Sequence, residues 1–146
     1  MIMIIISVNR PDMKLTMSAW LQHKMDEYLF SIRDITVDYA MAQASVNQPE
    51  CTLQQLRKYN DTCLDMAEIC QLNGDDRRYL HTLGNLHQRL LQELGNPERD
   101  RLFRMQAWQL ARHSLTRLCH QLALSGEWDK ATALQNEFVR KASQIM

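Results

Sequence analysis

The stretch LQHKMDEYLFSIRDITVDYAMAQASV, residues 21–46, decides the fold. Its apolar residues follow one another at alternating steps of four and three, which is the spacing of one face of an α-helix. They are Leu21, Met25, Tyr28, Ile32, Ile35, Tyr39, Ala42 and Val46. The pattern predicts a long first helix from about Ser18 to Ala44, which stops at Asn47-Gln48-Pro49 because proline breaks a helix.

Helical spacing recurs in two segments after this helix. Thr52 is the expected N-cap of helix 2, with Gln55 as its capping-box partner, and helix 2 ends at Asn73-Gly74. Helix 3 is expected to start at Asp75 or Asp76 and to end at Gly95.

Two more helices complete the chain. Asn96-Pro97 predicts the start of helix 4, because proline is favoured at the first helical position, and Ser125-Gly126 predicts its end. Helix 5 runs from about Glu127 to the C-terminus. The glycines that end helices 2, 3 and 4 are all expected in the left-handed conformation. Short loops force antiparallel neighbours, so we expect an all-α, up-down antiparallel bundle of four to five helices with a long first helix.

Length and composition agree with a single domain. The chain has 146 residues, of which 45% are hydrophobic, and we expect one helical domain over residues 17–146. Residues 1–16 are expected to be a short apolar leader or disordered arm ahead of a functional start at Met17; the alternative is a strand or arm docked on a neighbour. No apolar run approaches the roughly 18–20 residues that span a bilayer, so no membrane partner is expected.

The charges are balanced in total but separated along the chain. Residues 17–76 contain four basic and ten acidic side chains, whereas residues 77–120 contain eight arginines and three acidic side chains. One interpretation is that acidic and basic helices neutralise each other within the bundle. The other is a surface for an acidic protein or a phosphate backbone.

No catalytic pattern is present in the sequence. There is no metalloprotease, phosphate-loop or nucleophile-elbow motif, and no pair of histidines has the four-residue spacing of a helical zinc site. The four cysteines form no C-x-x-C pair, which favours reduced thiols in a cytoplasmic protein. We therefore expect no enzyme, no cofactor and no metal site.

Helix 4 is the best candidate for a binding element. Arg99, His113, Arg117 and His120 are expected within roughly 60° of one another on this helix, opposite its apolar stripe, as partner-binding residues. A further set of arginines could contact phosphates or pair with the acidic helices. It comprises Arg77, Arg78, Arg89, Arg101 and Arg112.

Helix 1 is the second candidate. Its regular apolar seam can form a homodimer, receive a partner helix or simply be buried in the bundle. Trp20 lies off the seam near the helix start and is expected to be available to a partner.

The stretch LALSGEWDKA, residues 122–131, resembles the G-E-W-D hairpin of FliT-type flagellar export chaperones. It is also similar to an element of small enterobacterial and phage regulators of the PerC and ANR type. The resemblance implies a small cytosolic helical bundle that holds another protein or acts on transcriptional regulators. Trp128 is the one residue to which it assigns a partner-binding role.

These patterns lead to two functional hypotheses. The first is a non-enzymatic helical adaptor, chaperone-like or regulatory, that binds another protein of acidic or helical character. The second is a small phage-type DNA-binding regulator or replication accessory protein that uses the arginines of helices 3 and 4.

Overall fold

The computed structural model describes residues 10–145 and contains five α-helices over that range. They are α1, Arg10–Val46; α2, Leu53–Leu72; α3, Asp76–Leu94; α4, Arg101–Leu124; and α5, Trp128–Ser143. No strand occurs among these residues. The predicted all-α helical bundle is confirmed.

The chain divides into two compact units, Met1–Asp34 and Ile35–Met146. The described part of the first unit is the N-terminal portion of α1. In the second unit, α3 packs against both α2 and α4, and α4 packs in turn against α5. Connections of three residues between α2 and α3 and between α4 and α5 keep consecutive helices adjacent.

The predicted start of α1 at Ser18 is wrong, because the helix already includes residues 10–17. Pro11 does not prevent this, since proline is tolerated in the first turn of a helix, where its missing N–H has no partner to lose. The segment expected as a leader is therefore helical from Arg10 onward, and its residues 1–9 lie outside the described part of the chain.

The caps of α2 and α3 agree with the sequence. The Thr52 hydroxyl accepts a hydrogen bond from the Gln55 N–H at 3.2 Å, and the Thr52 N–H donates to the Gln55 side chain at 2.9 Å, which confirms the capping box. Asp75 caps α3 by accepting from the Arg78 N–H at 3.2 Å.

The predicted start of helix 4 at Asn96-Pro97 is wrong. The Asn96 side chain accepts from the Glu98 N–H at 3.0 Å and so stabilises a turn instead of a helix. Asp100 is the N-cap, accepting from the Phe103 N–H at 2.8 Å, and α4 begins at Arg101.

Two of the three expected left-handed glycines are confirmed. Gly74 and Gly126 have φ of 73° and 75°, and each ends its helix in a Schellman motif. Gly95 is different, with φ −87° and ψ −2°. There the Arg104 side chain donates to the Leu94 carbonyl at 2.9 Å, so that a terminal carbonyl is satisfied without a left-handed turn.

The core of the second unit is formed by the apolar sides of its helices. Its most deeply buried large side chains include Leu56 and Tyr59 of α2 and Leu86 and Leu90 of α3. The C-terminal end of the α1 seam joins this core through Ala42 and Val46. Burying each such leucine contributes about 1.5–3 kcal/mol, so this core is the main source of the unit's stability.

Candidate partner-binding surfaces

α4 has a buried and an exposed side. The buried side consists of Phe103, Ala107, Ala111, Ser114, Leu115, Leu118 and Leu122. The exposed side carries a set of cationic or titratable residues, named here the α4 basic face, which spans about 160° of the helix surface. Its members are Arg101, Arg112, His113, Arg117 and His120, all exposed. Because α4 contains four arginines and no Asp or Glu, no acidic residue of its own offsets this face.

Apolar side chains are interleaved with the α4 basic face. Leu102 and Leu124 are 69% and 70% exposed, and Met105 is also exposed. The guanidinium carbon of Arg112 lies 5.7 Å from the centroid of the Trp108 ring, within the range of a cation–π interaction. The surface therefore offers positive charge and apolar contact area together.

The arginines of this face have no acidic partner in the described part of the chain. The ion pairs found among the described side chains, residues 16–145, join His23 and Lys24 to Glu27, Arg89 and Arg99 to Glu93, and Lys130 to Glu127. Arg101, Arg112 and Arg117 are in none of them. Pairing with the acidic helices, the alternative that the sequence left open, is not present at these three residues.

Arg99 is placed differently from the prediction. It precedes α4, so it does not share a helix face with His113, Arg117 and His120, and its side chain is only 7% exposed. Its guanidinium donates to Glu93 at 2.7 Å and to the backbone carbonyls of Val46 and Gln48 at 2.6 and 2.8 Å. These bonds satisfy backbone carbonyl groups at the C-terminal end of α1. The predicted position of Arg99 on the binding face of helix 4 is wrong because α4 begins only at Arg101.

The arginines of α3 fall into two groups. Arg77 and Arg78 are exposed in its first turn. Arg89 is partly buried, with its Nη2 3.1 Å from Oε1 of Glu93. Arg77 and Arg78 are therefore available to a phosphate, whereas Arg89 is already paired within the chain, sharing the Glu93 carboxylate with Arg99.

The two tryptophans singled out by the sequence lie on the surface. Trp20 is exposed on α1. Trp128 is the first residue of α5 and is 64% exposed, so most of its ring does not pack within the hairpin formed by α4 and α5. The hairpin itself is closed by the positive-φ Gly126. Both indole rings are accessible, but they lie in different units of the chain.

The sequence identified His87 only as one of the regularly spaced residues on the apolar side of α3, but the structure gives it a specific polar contact. It is fully buried, and its Nδ1 lies 3.0 Å from the Ser114 hydroxyl of α4. That hydroxyl donates to the Ala111 carbonyl at 2.9 Å, so Nδ1–H is the donor to Ser114 and Nε2 is unprotonated. Nε2 has no hydrogen-bond partner, and burial lowers the pKa of His87.

Among the described side chains, residues 16–145, no group of three or more His, Cys, Asp or Glu residues is arranged to hold a metal ion. None of the helices there has the length and apolar character needed to cross a bilayer.

Comparisons with protein-family models, with curated proteins and with solved structures find no match to this chain. The resemblance of residues 122–131 to FliT-type chaperones and PerC-type regulators therefore stays a prediction.

Proposed function

We propose that this protein is a non-enzymatic, cytoplasmic adaptor, chaperone-like or regulatory, that binds an acidic amphipathic segment of another protein at the α4 basic face. The observation that carries the proposal is the combination of Arg101, Arg112 and Arg117, which have no acidic partner among the described residues, with the exposed Leu102 and Leu124 on the same helix.

An acidic amphipathic helix matches both properties of this face. Its carboxylates would pair with the guanidinium groups, which favour bidentate contacts, and its apolar residues would cover the exposed leucines. Arginine is also enriched among residues that dominate binding energy at interfaces. His113 and His120 lie between the arginines and add hydrogen-bonding capacity to the same contact area.

The test is an affinity purification from native lysate in the presence of nuclease, with two charge-matched double variants. Arg112→Glu with Arg117→Glu reverses the α4 basic face. Arg33→Glu with Arg140→Glu makes the same change of net charge at exposed positions on α1 and α5. We expect a protein that is retained by the wild type and by the Arg33/Arg140 variant and is recovered at least tenfold less with the Arg112/Arg117 variant.

Two results would contradict the proposal. Equal recovery with both double variants would place the contact elsewhere. Recovery that disappears on nuclease treatment of the wild type would show that nucleic acid, not protein, is the ligand.

The second candidate is a small DNA-linked regulator or replication accessory protein that uses the same face. The observation in its favour is that the exposed Arg77 and Arg78 of α3 add to the arginines of α4 as potential phosphate contacts. It predicts binding to a fluorescent duplex whose log affinity falls by about 0.9 per phosphate contact for each unit of log salt concentration. Absence of binding at low salt would eliminate this candidate. It is the weaker of the two, because phosphate binding does not need the exposed leucines that are interleaved with the arginines.

A further inference from the structure

The N-terminal portion of α1 has an apolar face that nothing in the described part of its own unit covers. Four side chains define it, named here the α1 apolar face: Met17, Leu21, Met25 and Leu29, each more than half exposed. They follow one another at intervals of four residues and so lie within about 120° of the helix circumference. Trp20, also more than half exposed, borders the face.

The acidic residues of this part of α1 lie away from the α1 apolar face. Asp26, Glu27 and Asp34 are roughly opposite the α1 apolar face on the helix. Two of these carboxylates already interact within the helix: Glu27 with His23 at 2.8 Å, and Asp26 with the Gln22 amide at 3.1 Å. The α1 apolar face is therefore uncharged from Met17 to Leu29.

Arg33, which is exposed, continues the four-residue row of this face one step beyond Leu29. Lys24 also borders the face, and it is engaged. Its Nζ lies 5.7 Å from the centroid of the Trp20 ring and 3.6 Å from Oε2 of Glu27. When two identical faces meet, this lysine is accompanied by its own carboxylate. From Met17 to Leu29, apposing two copies therefore brings no unneutralised like charges together; such charges are the usual obstacle to self-association of a charged helix.

The exposed area is sufficient for a specific pair. With about 200 Å² for a large apolar side chain, the exposed parts of the five residues amount to about 600 Å² per chain and about 1,200 Å² in a symmetric pair. The total for the pair is at the lower limit of specific protein–protein interfaces, and the area per chain is at the upper end of the roughly 300–600 Å² of the largest apolar patch on a typical monomer.

We propose that the α1 apolar face is a homodimer interface, covered by the same face of a second copy of this chain. An interface of this kind is isologous, so that each Met25 and Leu21 contacts the equivalent surface of the partner. The step of four and three through Leu21, Met25 and Tyr28 is the spacing that lets two helices pack along a shared seam. The inference does not depend on the α4 basic face, which lies in the other unit.

The chain provides a matched pair of variants for the test. Met25 and Phe30 are both 58% exposed, but Phe30 is on the opposite side of α1 from the α1 apolar face. Met25→Glu and Phe30→Glu therefore introduce the same charge into the same helix at equal exposure. Both positions tolerate glutamate in the helix, and thermal melts followed by circular dichroism will verify that each variant is folded.

The measurement is sedimentation equilibrium from about 1 μM to about 1 mM protein. We expect wild type and Phe30→Glu to be dimers with similar dissociation constants, and Met25→Glu to dissociate at least a hundredfold more readily. Two differently tagged wild-type copies should co-purify after mixing, whereas two Met25→Glu copies should not. A monomeric wild type over the whole range, or a dimer unaffected by Met25→Glu, would overturn the proposal.

This result is separable from that of the α4 experiment. The Arg112/Arg117 double variant should remain a dimer while losing its protein partner. A monomeric wild type that still retains a foreign protein through α4 would refute the dimer alone, and a dimer that retains none would refute the adaptor function alone.

Discussion

Nε of Arg99 lies 2.7 Å from Oε2 of Glu93, and both side chains are more than nine-tenths buried. The pair joins the loop before α4 to the end of α3. Arg99 also donates a hydrogen bond to the carbonyl of Val46 at the end of α1. Its guanidinium carbon lies 4.6 Å from the Phe103 ring centroid, which fixes its orientation. One arginine thus connects three helices of the second unit.

The first prediction concerns this pair. Arg99→Ala should lower the free energy of unfolding by about 3–5 kcal/mol, because a buried carboxylate loses its closest partner and backbone carbonyls lose their donors. Urea denaturation measures the change. The control is Arg101→Ala, two residues along the chain and exposed, which should change stability by less than about 0.5 kcal/mol. Equal effects of the two substitutions would contradict a structural role for Arg99.

The second prediction is a pH dependence of stability from His87. An unfolded histidine titrates near pH 6.5, whereas burial lowers the pKa of His87 in the folded chain against the opposing influences of the Ala111 backbone and of Glu137. His87 therefore binds a proton more strongly in the unfolded chain than in the folded chain, so that protonation favours unfolding. The contribution of neutral His87 is complete above about pH 7 and declines as the pH falls through about 6.5 toward the lowered folded pKa.

Urea denaturation at a series of pH values tests this. Wild type should lose more stability between pH 7 and pH 5 than His87→Gln, which cannot gain a proton. His113→Gln changes an exposed histidine of α4 and should retain the wild-type pH dependence. If His87→Gln shows the same loss as wild type, the pH dependence arises at other groups.

The third prediction separates two glycines. Gly126→Ala should destabilise by about 1–2 kcal/mol, because its φ of 75° is unfavourable for any residue with a Cβ atom, although that atom would meet nothing within 4 Å. Gly95→Ala should be neutral or stabilising, because Gly95 has right-handed geometry and its Cβ would meet only ordinary contacts at 3.6 Å and beyond. Thermal denaturation of both variants gives the comparison, and an equal loss of stability would show that the two helix ends do not differ.

The fourth prediction concerns thiol reactivity. Cys63 is buried, and burial raises its pKa to about 12, so it is not expected to react with a thiol reagent in the folded protein. Cys51 and Cys119 are half-buried and should react first, though slowly, because burial raises their pKa values too. Spectrophotometric titration in native buffer and in denaturant measures this, and replacing both with serine should remove the native reaction. Four thiols reacting at one rate in native buffer would contradict the described core.

Much of the secondary structure could be predicted because its signals are local. The capping box of Thr52 and Gln55 and the glycine turns at Gly74 and Gly126 involve bonds between residues three to five apart. The start of α4 was missed because it does not depend on local signals alone. Asn96-Pro97 and Asp100 are both good start signals, and the choice between them depends on Arg99, which reaches Glu93 and the end of α1 only in the folded unit.

The candidate surfaces were predicted less completely. The exposed positions of Arg112, His113, Arg117 and His120 follow from the apolar stripe of α4, which helical periodicity reveals. The periodicity of α1 identified its seam but not which part of the seam is covered. Met25 is exposed and Val46 is fully buried, although both belong to one regular repeat.

The sequence by itself determined the all-α class and most of the helix boundaries, because backbone hydrogen bonds and capping side chains act within four or five residues of one another. The tertiary structure alone decided that Arg99 is buried and that His87 meets Ser114, 27 residues away. It also decided that Arg101, Arg112 and Arg117 remain without an acidic partner in the described chain. The physical reason is that burial and ion pairing depend on which helix sides meet, and sequence periodicity specifies the side of a helix but not its neighbour.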